Sequence, residues 1–134
     1  MPSVKEAAAT LAVKDAAATI AVRDPRSARK FYEDTLGLKM LDDSMPEALV
    51  FKSGNSKVLV YQSQYAGSNK ATAATWGVGN DIEPIVQALK AKGVAFEHYD
   101  MPGMTRKGDV HVGGDMKAAW FKDPDGNIIA LVSS

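Results

Sequence analysis

Thr19-Ile20-Ala21-Val22-Arg23-Asp24 and, 56 residues later, Thr75-Trp76-Gly77-Val78-Gly79-Asn80 open two stretches that run in parallel along the chain. In each, a short apolar run leads to a turn acid or amide (Asp24; Asn80 and Asp81), then to an amphipathic segment and a glycine. Gly37 with Leu38 ends the first copy's segment, and Gly93 with Val94 ends the second. A repeat this long that occurs only twice implies two copies of one supersecondary unit related by a pseudo-two-fold, not a solenoid.

The rest of each unit follows from its opening. Residues 24–36 read as a helix: Asp24 can cap it, Pro25 suits its first turn, and Ala28, Phe31, Tyr32 and Leu36 form one apolar stripe before Gly37. Strands are expected at 38–41, 48–52 and 57–62, the last two joined across Ser53-Gly54-Asn55-Ser56 as a hairpin. The second copy predicts a strand over 73–78, a helix from about Asp81 to Lys92 that tolerates Pro84 in its first turn, and strands at 94–98, 117–121 and 127–132. A tight turn at Asp123-Pro124-Asp125-Gly126 joins the last two. Residues 99–116 are rich in glycine and polar residues without a clean period, the composition of a functional or disordered loop.

A shorter echo lies ahead of the first unit: Ala8 to Asp15 nearly repeats Ala17 to Asp24. The second of these copies makes the better first strand, because Asp24 and Pro25 can start a helix and Asp15 cannot. Residues 1–16 are then an arm: an added edge strand, a contact with another subunit, or a mobile tail. Residues 17–134 form one domain with modules at 17–64 and 73–132. The length of 134 residues suits a single core.

Bulk charge selects no partner. The 16 basic and 16 acidic side chains cancel, which argues against nucleic acid and anionic membranes as partners. With no cysteine, disulfides, thiolate catalysis and sulfur-bound zinc are excluded. No stretch approaches a membrane span, and Met1 to Val13 has Glu6 and too short an apolar run for a secretory signal, so a cytoplasmic protein is expected.

Two motifs make the reading specific. Ala28-Arg29-Lys30-Phe31-Tyr32-Glu33-Asp34-Thr35-Leu36-Gly37-Leu38 and Phe121-Lys122-Asp123-Pro124-Asp125-Gly126-Asn127-Ile128-Ile129-Ala130-Leu131, within a doubled βαβββ pattern, resemble the vicinal oxygen chelate superfamily. That group includes glyoxalase I, fosfomycin and bleomycin resistance proteins and extradiol dioxygenases. The resemblance covers residues 17–132. It implies an α+β fold in which two βαβββ modules form an open, cupped mixed β-sheet with helices on the outer face and a ligand on the concave one.

The resemblance also implies where metal donors would stand. They fall at Thr19, Thr75 and Ala130, and at Val60, or Gln62 if the register slips. Threonine hydroxyls are weak neutral donors, and alanine and valine are none, so no metal and no cofactor are expected at that site. Reactions that depend on a Lewis acid lose their main stabiliser, while the hollow, drier and more apolar, suits a small-molecule ligand. Small residues there could equally just let the sheet pack.

The 99–116 segment supplies the remaining candidates: Tyr99, Met101, Met104, Arg106 and His111 as ligand-lining residues, with His98 and His111 as possible proton-transfer groups. No acidic partner for either histidine is identifiable in the sequence, although Asp100 or Asp109 could join them in a displaced metal site. Trp76 must lie on the face opposite Thr75 by strand alternation; Trp120's face is open, and core burial is expected for both. Tyr61 and Tyr65 could rim the hollow or lie at a subunit contact. The expected function is binding of a partly apolar small molecule without a metal. The alternative is a lyase, isomerase or dioxygenase with a non-standard metal or acid/base site from residues 98–111. A homodimer is expected, because open sheets leave edges that a symmetric partner covers.

Overall fold

A computed structural model of the chain describes residues 10–133. The first nine residues of the chain, with Ala8 and Ala9 of the N-terminal echo, therefore lie outside the described residues. Thr10–Val13 form a 3-10 turn with Leu11 and Val13 exposed, so this described part of the arm is not a strand.

The first module opens with β1 (Ala18–Val22), which buries Ile20 and Val22 and exposes Thr19. Asp24 then starts α1 (Pro25–Lys30): its carboxylate accepts from the Arg26 N–H at 3.0 Å and the Ser27 hydroxyl at 3.1 Å. The expected α-helix does not continue unbroken to residue 36. Phe31–Thr35 widen into a π-turn in which the Leu36 N–H donates to the Phe31 carbonyl at 2.9 Å. The wider turn lets consecutive rings serve two layers, with Tyr32 6.0 Å from Phe51 and Phe31 6.3 Å from Phe121 between centroids. The strands β2 (Lys39–Asp42), β3 (Ala48–Ser53) and β4 (Ser56–Gln62) complete a sheet ordered β1-β4-β3-β2, with β1 parallel to β4 and the other pairs antiparallel.

The second module repeats the plan with one change. It contains β5 (Thr72–Gly77), a 3-10 turn at Gly79–Asp81, and α2 (Ile82–Ala91), which buries Ile82, Val86 and Leu89. The strand expected over 94–98 shrinks to the two residues of β6 (Phe96–Glu97). The segment expected as a loop instead contains a hairpin, β7 (Thr105–Lys107) and β8 (Val110–Gly113). All three β7 residues are exposed, so no apolar alternation betrays them in the sequence. With β9 (Met116–Lys122) and β10 (Ile128–Val132), the order is β5-β10-β9-β8-β7. The same edge of β9 is shared: β6 pairs with Phe121 and Trp120, and β8 pairs with Ala118, Lys117 and Met116.

One face of each sheet is buried in a common core with the helices. Ile20, Val22, Val58, Val60 and Phe51 come from the first sheet, Ala74, Ala119, Phe121, Ile129 and Leu131 from the second, and Ala28, Tyr32, Val86 and Leu89 from the helical segments. The sheets touch where β1 meets β5. The Asp123-to-Asn127 turn bolts the modules together. The Tyr32 hydroxyl donates to Asp123 Oδ2 at 2.6 Å, and Asp123 Oδ1 accepts from the backbone of Asp125 and Asn127. Asn127 Nδ2 donates both to Asp123 Oδ2 at 2.8 Å and across to the Ala21 carbonyl at 2.7 Å. Burial, with the Asp123 carboxylate beside it, drives the Tyr32 pKa far above its ordinary value near 10. The connection between modules presses on the same turn: Gly67 has φ +70°, and a Cβ there would lie 1.8 Å from the Asp125 carbonyl oxygen.

Candidate functional site

Residues directly paired across neighbouring strands point to the same side of a sheet, so the registers assign each candidate to a face. On the first sheet, Thr19 pairs with Leu59 and Ala21 with Tyr61, all on the side away from the core. On the second, Thr75 pairs with Ala130, Ala130 with Trp120, Ala118 with His111, and His111 with Arg106. These residues share the face away from the core. Trp76 lies beneath, against the core, its Nε1–H donating to the Ser53 hydroxyl at 2.7 Å, as alternation predicts. Trp120, by contrast, stands on the outward face and is only half-buried.

Two expected lining positions fall elsewhere. Val60 pairs with Ile20 and is fully buried in the core, and Gln62 pairs with Val22 and donates from its amide to the Arg23 carbonyl at 3.3 Å. Both therefore sit on the opposite parity from Thr19. With a side-chain period of two, a register that places Thr19 outward brings Leu59 and Tyr61 beside it, and no slip that preserves the buried valines can bring Val60 there.

The superfamily resemblance implies a divalent ion among donors from four strands, and the donor set tests that implication. Thr19 and Thr75 offer neutral hydroxyls, that of Thr19 donating to the Ala17 carbonyl at 3.2 Å, and Ala130 offers a methyl. Among the described residues, no three or more His, Cys, Asp or Glu side chains converge. These residues do not fit a tightly held divalent ion.

The outward face of the second sheet carries an aromatic cluster. His111 is 1% exposed, and its Nε2 accepts the Tyr99 backbone N–H at 2.9 Å. The neutral ring then keeps its proton on Nδ1, which has no partner among the described residues. The Trp120 ring meets the His111 ring edge-on at 4.9 Å and the Tyr99 ring at 5.4 Å. Desolvation, and secondarily the Glu97 carboxylate, raise the pKa of Tyr99.

Two hollows adjoin over this cluster. One, of about 350 Å³, is lined by Tyr99, Asp100, Met101, Met104, Arg106 and His111 together with Pro102. The other, of about 340 Å³, is lined by Thr72, Tyr99, Met101, Trp120 and Ile128, with Lys70 and Ala71. Tyr99 and Met101 are common to both. The segment after β6 can lie this close because β8 ends in a glycine: a Cβ on Gly113 would come within 3.0 Å of Met104 Cγ. Five of the lining residues expected from sequence, Tyr99, Met101, Met104, Arg106 and His111, are thus brought together, and Trp120, whose face the sequence left open, joins them.

His98 belongs to a different constellation. It is exposed, with Nε2 2.7 Å from Asp109 Oδ1, and Asp109 Oδ2 lies 2.7 Å from Lys90 Nζ. Lys90, and after it His98, hold the Asp109 carboxyl below the usual carboxylate range. The acidic partner missing from the sequence reading is Asp109, brought round by the β7–β8 hairpin. His98 and His111 accordingly serve different partners.

Known proteins share this fold. The family profile described as the Glyoxalase/Bleomycin resistance protein/Dioxygenase superfamily matches residues 14–131. No curated protein sequence matches the chain. Among solved structures, the fold is similar to a lactoylglutathione lyase from Agrobacterium tumefaciens, with 16% identity, a TM-score of 0.66 and coverage of 89% of this chain and 92% of that one. It is similar also to the fosfomycin resistance protein FosX from Mesorhizobium loti, with 13% identity, a TM-score of 0.63 and coverage of 90% and 91%. A glyoxalase/bleomycin resistance protein/dioxygenase from Alicyclobacillus acidocaldarius gives 15% identity and a TM-score of 0.67, with 89% of each chain covered. These likenesses concern the fold; together with the profile match over nearly the whole chain, they show that it belongs to the Glyoxalase/Bleomycin resistance protein/Dioxygenase superfamily.

Proposed function

We propose that this protein binds a small, partly apolar molecule over the outward face of its second sheet, and that it does so without a divalent ion as intermediary. The observation that carries the reading is the pair of adjoining hollows sharing Tyr99 and Met101 above Trp120 and His111. Flat aromatic walls and flexible thioethers suit a planar or apolar ligand, and a few polar groups at one end can orient it. Thr75 and Ala130 stand on the same sheet face as Trp120 and His111 without lining either hollow.

Fluorescence titration of a Trp76→Phe variant, in which Trp120 alone reports, tests the reading with a panel of planar aromatic compounds. Saturable quenching at one ligand per chain is expected, unchanged by EDTA and without a stoichiometric divalent ion in elemental analysis. Absence of saturable quenching, or its loss on chelation, contradicts the proposal.

The His98–Asp109 pair favours a second reading, a lyase, isomerase or dioxygenase with its acid/base group on the 98–111 segment. Steady product formation that falls in an Asp109→Asn variant supports it; binding with no turnover counts against it. In either case we expect a homodimer, the half-buried Leu59 and exposed Tyr61 on the first sheet's outward face offering the surface. Sedimentation analysis giving a monomer at micromolar concentration would remove that expectation.

A further inference from the structure

A further hollow, of about 390 Å³, lies on the core side of the second sheet, where α2 and β5 face the end of the first module's helical segment. Leu36 and Leu38 line it from the first module, and Trp76, Val78 and Ile85 from the second. All five are half-buried, so each presents apolar surface to the space between them. Behind them Phe121 and Leu131 seal the floor against the common core. Lys52 is the one charged residue in the lining, and alternation from the buried Phe51 turns its side chain to the outward face of the first sheet. The walls of the hollow are therefore hydrocarbon without a charge.

The frame holds this space open. The Trp76 Nε1–H donates to the Ser53 hydroxyl at 2.7 Å, tying β5 to the β3–β4 turn. Lys92 Nζ donates to the Asp34 and Thr35 carbonyls at 3.0 and 3.3 Å, tying the end of α2 to the π-turn. Pinned at these two places, the modules cannot slide together over the gap. The π-turn also sets Leu36 on the wall, its N–H closing the wide ring on the Phe31 carbonyl; such turns recur at functional sites. At the rim, Gly37 and Gly54 put no side chain across the mouth.

We propose that this hollow between the modules is a second binding site, for a compact, uncharged, hydrocarbon-like molecule such as an alicyclic alcohol. An apolar cavity of about 150 Å³ already holds a benzene ring, so the space is ample for one small ring system. Burying its carbons against Leu36, Leu38, Val78 and Ile85 favours binding, whereas an ionised group would lose its hydration and find no counter-charge on the walls. A recess that reaches inward between two modules suits a small molecule; a flat protein surface rests on the rim and leaves the depth unfilled. The claim stands apart from the outward-face reading, because the two places lie on opposite sides of the second sheet and share no lining residue.

Fluorescence titration of the full chain carrying Trp120→Phe, in which Trp76 alone reports, tests the proposal with cyclohexanol and cyclohexylammonium. Cyclohexanol changes the Trp76 emission saturably, and cyclohexylammonium binds roughly tenfold or more weakly, because its charge would have to be buried unpaired. Adding Ile85→Phe fills the hollow and weakens cyclohexanol roughly tenfold; Leu36→Phe, from the opposite wall, gives the same result should the first variant fold poorly. In a Trp76→Phe background, Ile85→Phe leaves the response of Trp120 to planar aromatic compounds within about twofold, since no wall is shared. Absence of saturation at Trp76, equal binding of the two probes, or undiminished binding in both filled variants overturns the proposal without touching the outward-face reading. So does a dimer that Ile85→Phe turns into a monomer in sedimentation, which would place a second copy of the chain over this mouth.

Discussion

The first module fills the place beside β3 with one four-residue strand, β2, whereas the second divides the corresponding place beside β9 between two-residue β6 and the β7–β8 hairpin. Everything distinctive about the second module follows from that division. Ending β6 at Glu97 releases Tyr99 to Met104 to cross the outward face, where Tyr99 anchors on His111 and Met104 rests over Gly113. Trp120 thereby acquires side walls. In the first module the same face keeps Thr19, Leu59 and Tyr61 under no comparable segment among the described residues, and Tyr61 is 41% exposed. A duplicated frame has stayed intact in its core while one shortened strand has built the paired hollows over the outward face of the second copy.

The joint between the copies is the most sensitive place to break this comparison. Gly67→Ala combines a positive φ with a Cβ set against backbone at 1.8 Å, and is expected to lower stability by about 3 kcal/mol or more in chemical denaturation, because the atom it meets is a carbonyl that cannot swing aside. A loss under about 1 kcal/mol would mean that the connection does not bear on the Asp123 turn as described.

Tyr32→Phe removes the hydroxyl that ties the first module's helical segment to Asp123, at a cost of about 2 kcal/mol near neutral pH. The same variant carries a pH signature. Folding raises the Tyr32 pKa, so above about pH 10 the unfolded chain releases a proton that the folded chain retains, and stability falls with rising pH. The contribution is complete below the unfolded value and fades above it, with a slope of about 1.4 kcal/mol per pH unit. Denaturation curves between neutral and strongly alkaline pH should show this extra slope in the unaltered protein and not in Tyr32→Phe.

The outward faces themselves are compared by ligand affinity. Trp120→Ala should weaken binding of a planar aromatic probe roughly tenfold, a typical loss for removing an aromatic wall, while Tyr61→Ala on the first module leaves it within about twofold. Equal losses would erase the distinction drawn between the modules. Smallest is Gly54→Ala in the β3–β4 turn: φ is +57° but nothing lies within 4 Å of the added Cβ, so about 1 kcal/mol is expected, from backbone strain alone. Set beside Gly67→Ala, it separates conformational strain from steric collision.

The frame was legible because its signals are local. Asp24 and Pro25 announced a helix start, Gly54 a hairpin, and the Thr19/Thr75 echo placed both threonines on first strands that meet at the centre. Alternation alone put Trp76 beneath the second sheet. What escaped depended on pairing between distant residues. Thr105-Arg106-Lys107 carries no strand pattern and becomes β7 only by pairing with β8, which also brings Asp109 to His98. The widening at Phe31–Thr35 answers to Phe51 and Phe121, which local periodicity cannot see. Val60 was misplaced because a position carried over by resemblance ignores strand parity, and parity sets it beside Ile20. Five of the lining residues were found through composition, as a knot of aromatic, thioether and ionisable groups; Trp120 needed the register of β9.

A chemical-shift map of isotope-labelled protein titrated with a planar aromatic ligand tests the central claim most directly. The account predicts that perturbations gather at the Trp120 indole N–H, the backbone amides of Tyr99 and Met101, and the His111 ring. Shifts centred instead on Leu59 and Tyr61, or no saturable shifts anywhere, would contradict it.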